Sequence, residues 1–122
     1  MMARRLLAMI LSLLLAAFFA FVGWHKSEDS LADLARYHAW TVHLPEWAGR
    51  MVGWSELACA VGLVIGLLRP RLGRLAALVL IANQIAAAAV HAAAWESGAL
   101  PQNGVLAAMA LGVVLTTSGE TQ

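Results

Sequence analysis

Of 122 residues, 61% are apolar and only 12% are charged, and the mean hydropathy is strongly positive. A soluble domain of this size could not bury so much apolar surface, so the composition excludes an ordinary water-soluble globule. The formal net charge of +1 rests on dispersed arginines rather than on one basic face, which excludes nucleic acid as a partner and leaves the lipid bilayer as the expected one.

The first apolar run extends from Leu6 to Trp24, preceded by Arg4 and Arg5 and followed by His25 and Lys26. A bilayer span needs about 20 apolar residues, and this run supplies them. Two arginines before an apolar stretch also mark export signals. Here the run is long for a signal and continues through Phe18 to Trp24 without a small-x-small cleavage site, so a retained span is expected.

The only sizeable polar stretch follows. Ser27 is placed to cap a helix whose first turn holds Glu28 and Asp29, with Leu31, Leu34, Ala35 and His38 at helical spacing and a charged face of Asp33 and Arg36. The pattern predicts a short amphipathic helix in the first external loop, either folded over the bundle as a connector or serving as a lid or docking surface. His38 and His43 are five residues apart, a spacing that does not align them on a helix, and no metal site is expected.

Pro45 and Glu46 open a second span near Trp47, which runs to Leu68 with Glu56 as its one charged residue inside the apolar run. Arg69-Pro70-Arg71-Leu72-Gly73-Arg74 breaks the pattern and predicts a tight helical hairpin. The third span, about 73–95, is apolar except for Asn83, Gln84 and His91. Gly98 and Pro101 mark a turn before the last and weakest span, about 100–117. The expected fold is therefore an all-α integral membrane four-helix bundle, one domain over 1–122, with a first span at about 6–24 and a second at about 47–68.

Arg4, Arg5, Arg69, Arg71 and Arg74 all fall at one end of such a bundle, which predicts cytoplasmic N- and C-termini at the cell membrane. Trp24, Trp40, Trp47 and Trp95 fall at the other end, where indoles would form an outer aromatic belt. Cys59 stands alone, so neither an intramolecular disulfide nor a Cys-x-x-Cys pair is available.

Polar residues inside the spans carry the functional expectations. A carboxylate at mid-depth costs several kcal/mol unless it is protonated, paired or wetted, and Glu56 is such a residue. Gly49, Gly53, Glu56 and Ala60 share one stripe of their helix, which turns Glu56 toward a neighbouring helix. Counting back from the hairpin puts Asn83 and Gln84 at about the depth of Glu56, with His91 on roughly the same face about 10 Å nearer the outside. Lys26, Glu56, Asn83, Gln84 and His91 then converge in the outer half of the bundle. Such a cluster reads either as a hydrogen-bond network holding helices in register or as a ligand pocket, with Glu56 and His91 as its catalytic pair and Lys26, Trp54, Asn83 and Gln84 binding substrate. Trp54 reads equally as lipid-facing.

The chain resembles the DoxX-like small membrane proteins. The resemblance rests on Lys26 after the first span, the stretch Leu44-Pro45-Glu46-Trp47-Ala48-Gly49-Arg50-Met51-Val52-Gly53-Trp54-Ser55-Glu56-Leu57, the Arg69-Pro70-Arg71 turn and His91. It departs at Trp24-His25, an extra bulky pair before the lysine. It implies a four-helix bundle with polar positions at Lys26, Glu56 and His91, and an accessory or quinone-proximal subunit of a membrane redox system. The partners implied are a quinone or another lipophilic small molecule and a soluble or membrane redox protein carrying the flavin, haem or thiol chemistry. No cofactor of the chain's own is expected, although His25 and His91 could face each other across a haem. Two other classes stay open: an isomerase or cyclase in which Glu56 moves a proton on a lipophilic substrate, and a non-enzymatic assembly factor for other membrane proteins.

Overall fold

A computed structural model describes residues 2–118, and among them all regular structure is helical. Four helices are long and apolar enough to cross a bilayer: α1 (Met2–Glu28), α3 (Glu46–Ile65), α4 (Pro70–Ala93) and α5 (Leu100–Thr117). The short α2 (Leu31–Arg36) and a 3-10 turn (Trp40–His43) connect α1 to α3, and a second 3-10 turn (Ser97–Ala99) leads into α5. Each long helix packs on its neighbours in sequence, and α1 closes the ring against α5. The bundle is thus up-down-up-down, with the α3–α4 hairpin and the two outermost helix ends at one end and all the longer connections at the other.

A thin core suffices for such a bundle because lipid takes the rest of the apolar surface. Leu15 and Phe19 of α1, Leu63 of α3, Leu80 of α4 and Val113 of α5 are fully buried, with alanines between them. Large side chains such as Leu14, Val61, Leu75 and Leu115 point outward on all four helices. At the hairpin end Arg4 donates to the carbonyls of Leu115, Thr116 and Ser118 at 2.8–2.9 Å, satisfying groups that the end of α5 leaves unpaired. Arg74 reaches Thr117 O in the same way.

Two departures from the sequence expectation concern the connection after the first span. Ser27 does not cap a helix: α1 runs on to Glu28, and the Ser27 hydroxyl donates back to Trp24 O at 2.9 Å. The cap is Ser30, whose side chain accepts from Asp33 N at 3.1 Å, so α2 is shorter and its Leu34 alone is buried. Trp40 leaves the expected belt and is buried beneath the loop, whereas Trp24, Trp47 and Trp95 are exposed.

Glycines set the closest approach in the bundle. A Cβ on Gly53 would lie 2.7 Å from Ser27 N and 2.8 Å from Gly23 O, all backbone atoms that cannot swing aside. Gly23 and Gly53 therefore let α1 and α3 touch backbone to backbone, the small-residue packing expected of membrane helices. Gly53→Ala should lower stability by about 1–3 kcal/mol through overpacking. Gly104→Ala, where a Cβ meets nothing within 4 Å, should be neutral or slightly stabilising. Thermal unfolding of both variants in detergent checks the contrast.

Candidate functional site

Close contact of α1 with α3 brings Lys26 over Glu56. The Lys26 ammonium lies 3.0 Å from Glu56 Oε2, and the glutamate is 0% exposed. Asn83, from α4, donates to the same oxygen at 2.7 Å, so one carboxylate ties three helices together. Arg50, six residues nearer the start of α3, donates to Lys26 O at 2.9 Å and fixes the end of α1. The Lys26 ammonium also sits 5.7 Å from the centroid of the buried Trp40 ring, a cation–π distance. The 3-10 turn that delivers Trp40 is seated by Gly49, where a Cβ would meet Thr41 at 3.2 Å.

Asn83 and Gln84 are adjacent in sequence and face different neighbours. Asn83 turns to α3, while Gln84 Oε1 accepts from Asn103 Nδ2 of α5 at 3.0 Å in a buried contact. A third cluster closes the loop end. There α4 terminates with Trp95 in the left-handed region, φ 61°, and the chain folds back so that Glu96 N donates to His91 O at 2.7 Å. The Glu96 carboxylate then meets His91 Nδ1 at 2.9 Å and His43 Nε2 at 3.2 Å. Hydrogen bonds from His91 first, and from His43 after the smaller opposing effect of desolvation, hold the Glu96 carboxyl below the usual glutamate range.

These clusters border a cavity of about 420 Å³, within the range of about 300–1,000 Å³ of small-molecule sites. Its walls come from α1, α4 and α5, with residues 34–40 above. Phe18, Phe19 and Leu106 make it apolar at depth, while Lys26, Gln84 and His91 supply polar groups. Phe21, Tyr37 and Gln102 line it and are exposed, which marks the mouth. Phe21 belongs to the apolar run of α1, one turn before His25.

Of the residues singled out from sequence, Lys26, Gln84 and His91 line this cavity; Glu56 and Asn83 stand behind Lys26 and do not. Trp54 is 56% exposed and lies on the outer face of α3, away from the cavity. His25 lines the cavity with Nδ1 held 2.7 Å from Asp29 Oδ2. Among the described residues no group of three or more His, Cys, Asp and Glu is arranged to hold a metal ion. Sequence reasoning missed Asn103, Trp40 and Glu96 as members of the site. Glu96 had a signal in the His91-x-x-x-x-Glu96 spacing at a helix end, but no glycine marks the reversal that joins them.

Removing one partner of a buried ion pair leaves the other charge uncompensated and costs roughly 3–5 kcal/mol, whereas replacing both by apolar groups is often near neutral. Lys26→Met and Glu56→Leu should each loosen the bundle strongly, and the double variant should recover most of the loss. Glu56→Gln should behave like a single-partner loss, because it keeps the shape and leaves the ammonium without its counter-charge. Unfolding midpoints of the four variants, combined as a double-mutant cycle, measure the coupling.

Comparison with known proteins agrees with the architecture. No curated protein and no solved structure matches the chain. A family model described as the DoxX-like family matches residues 10–113, which include all four long helices in whole or large part together with Lys26, Glu56 and His91. The chain is a multi-pass membrane protein and belongs to the DoxX-like family.

Proposed function

We propose that the protein takes a lipophilic small molecule from the bilayer into the cavity between α1, α4 and α5, and serves as a quinone-proximal accessory subunit of a membrane redox system. The observation that carries this reading is the cavity itself: an apolar, aromatic interior, exposed Phe21 at its mouth, and a few polar groups from α1, α4 and α5. That combination suits a molecule with an apolar body and a polar head. The single cysteine, Cys59, is buried on α3, so thiol redox chemistry would come from a partner protein.

Within this reading Glu56 is an anchor rather than a proton donor, because Lys26 stands between it and the cavity. Lys26 is the group that meets the ligand, its charge balanced from behind. His91 is the imidazole on the α4 wall. This arrangement weakens the isomerase or cyclase alternative, which needs the Glu56 proton to reach a substrate.

The proposed orientation places the hairpin end, with Arg4, Arg5, Arg69, Arg71 and Arg74, in the cytoplasm and the α2 segment outside. A reporter fused after Arg71 should read cytoplasmic, and one inserted beside Asp33 should read external; the reverse pattern refutes the orientation.

Protein purified in mild detergent should carry a lipophilic molecule detectable by mass spectrometry of an organic extract, together with a redox protein in the same eluate. Val22→Trp, which fills the cavity from α1, and Gln102→Trp, which obstructs its exposed rim, should lower the extracted molecule several-fold while unfolding near the wild-type temperature. Equal recovery from wild type and both variants would refute the cavity as the binding place.

A further inference from the structure

The end of α4 is built to hold one histidine in one state. Trp95 takes a left-handed conformation that a bulky residue rarely adopts, and this reversal lays Glu96 back over the last turn. Glu96 then grips His91 twice, through its own backbone N–H to His91 O at 2.7 Å and through carboxylate Oε1 to His91 Nδ1 at 2.9 Å. His43 reaches the same carboxylate oxygen from the loop at 3.2 Å and helps hold it in place. An ionised carboxylate can only accept, so when the His91 ring carries a single proton it sits at Nδ1, which leaves the lone pair at Nε2.

His91 is buried and lines the cavity, and its Nε2 has no hydrogen bond among the described residues. That nitrogen is not among the fully sealed buried polar atoms without a partner, and the residue that carries it lines the cavity. Two turns earlier on the same helix, Gln84 uses its carbonyl oxygen on Asn103, and its amide N–H groups have no hydrogen bond among the described residues. The polar wall of α4 therefore offers an acceptor at His91 and a donor at Gln84.

We infer that Glu96 is a positioning residue that fixes the tautomer of His91, and that the cavity takes a lipophilic alcohol or phenol whose hydroxyl donates to His91 Nε2. This rests on the reading of the cavity as a site for a bilayer-derived molecule and adds the chemistry of the head group. The step is a hydrogen bond, with no proton transfer required. A tenfold preference corresponds to about 1.4 kcal/mol, the upper part of the range of about 0.5–1.5 kcal/mol that a neutral hydrogen bond contributes. A ligand whose hydroxyl is capped by a methyl group should lose that factor.

The test uses the full chain in detergent, labelled with nitrogen-15 histidine, and the matched pair 4-decylphenol and 4-decylanisole. The nitrogen spectrum at neutral pH should show His91 protonated at Nδ1 and bare at Nε2. The phenol should bind roughly tenfold tighter than its methyl ether and move the His91 Nε2 resonance, while the ether leaves it in place. Glu96→Ala should mix the two tautomers and reduce the phenol preference to within about twofold, an effect that loss of packing alone would not produce. Should Glu96→Ala fail to fold, the wild-type tautomer and the phenol-to-ether ratio still decide. Equal binding of both probes, or a wild-type His91 protonated at Nε2, overturns this inference while leaving the cavity as a lipophile site. Binding of neither probe overturns both.

Discussion

A lysine and a glutamate placed inside an apolar bundle are tolerable only together, and the geometry of this protein is arranged around that condition. Lys26 and Glu56 sit on different helices, so their pairing fixes the rotation and the axial register of α1 against α3. The backbone contact at Gly23 and Gly53 brings the two helices close enough for the 3.0 Å approach, and Asn83 adds α4 to the same carboxylate. Polar contacts between membrane helices are individually modest, about 1 kcal/mol or less on average, so they specify arrangement more than they supply stability. The apolar contacts of Leu15, Phe19, Leu63, Leu80 and Val113 supply adhesion without choosing a register. The ion pair chooses it.

The same pair divides the interior into two compartments. Behind Lys26 lies a protein-filled region where Glu56 is sealed. In front of it lies the cavity, bordered by Lys26, Gln84 and His91. The ammonium faces the cavity with its charge already balanced, so an incoming head group meets a hydrogen-bond donor rather than a bare cation. An apolar molecule bearing an oxygen function suits that environment better than an anion does. If the cavity holds such a molecule as proposed, specificity falls to Gln84 and His91, which differ in whether they give or take a hydrogen bond.

Much of this was legible in the sequence, for reasons that can be named. The spans were visible because lipid demands long apolar runs, and the burial of Gly49, Gly53, Glu56 and Ala60 followed from their shared stripe. The depth count that put Asn83 and Gln84 at about the level of Glu56 holds for Asn83, which meets the carboxylate, because a tight hairpin leaves two antiparallel helices little freedom; Gln84 turns to α5 instead. What escaped was decided by connections and by side-chain direction. Nothing in Trp40 distinguishes an indole at the interface from one folded inward by a 3-10 turn, and Trp54 could equally have faced either way. Ser27 looked like a cap because it precedes two acids, yet α1 continues past it and Ser30 caps α2 instead. Glu96 lay in a segment that read as a turn, and its role depends on a left-handed tryptophan that no local rule favours.

The seam between α1 and α5 has a bearing on how the protein is made. These two helices are far apart in sequence, yet they meet along the bundle, with Leu11 packed against Gly112 and Arg4 fastened to the last turn of α5. The cavity lies across this seam, walled by α1 on one side and by Asn103 and Leu106 of α5 on another. During synthesis α1, α3 and α4 enter the membrane first, and the Lys26–Glu56–Asn83 cluster can assemble among them at once. The cavity lacks its third wall until α5 follows. A nascent chain thus pairs its charged residues early, and the cavity is complete only once α5 is in place.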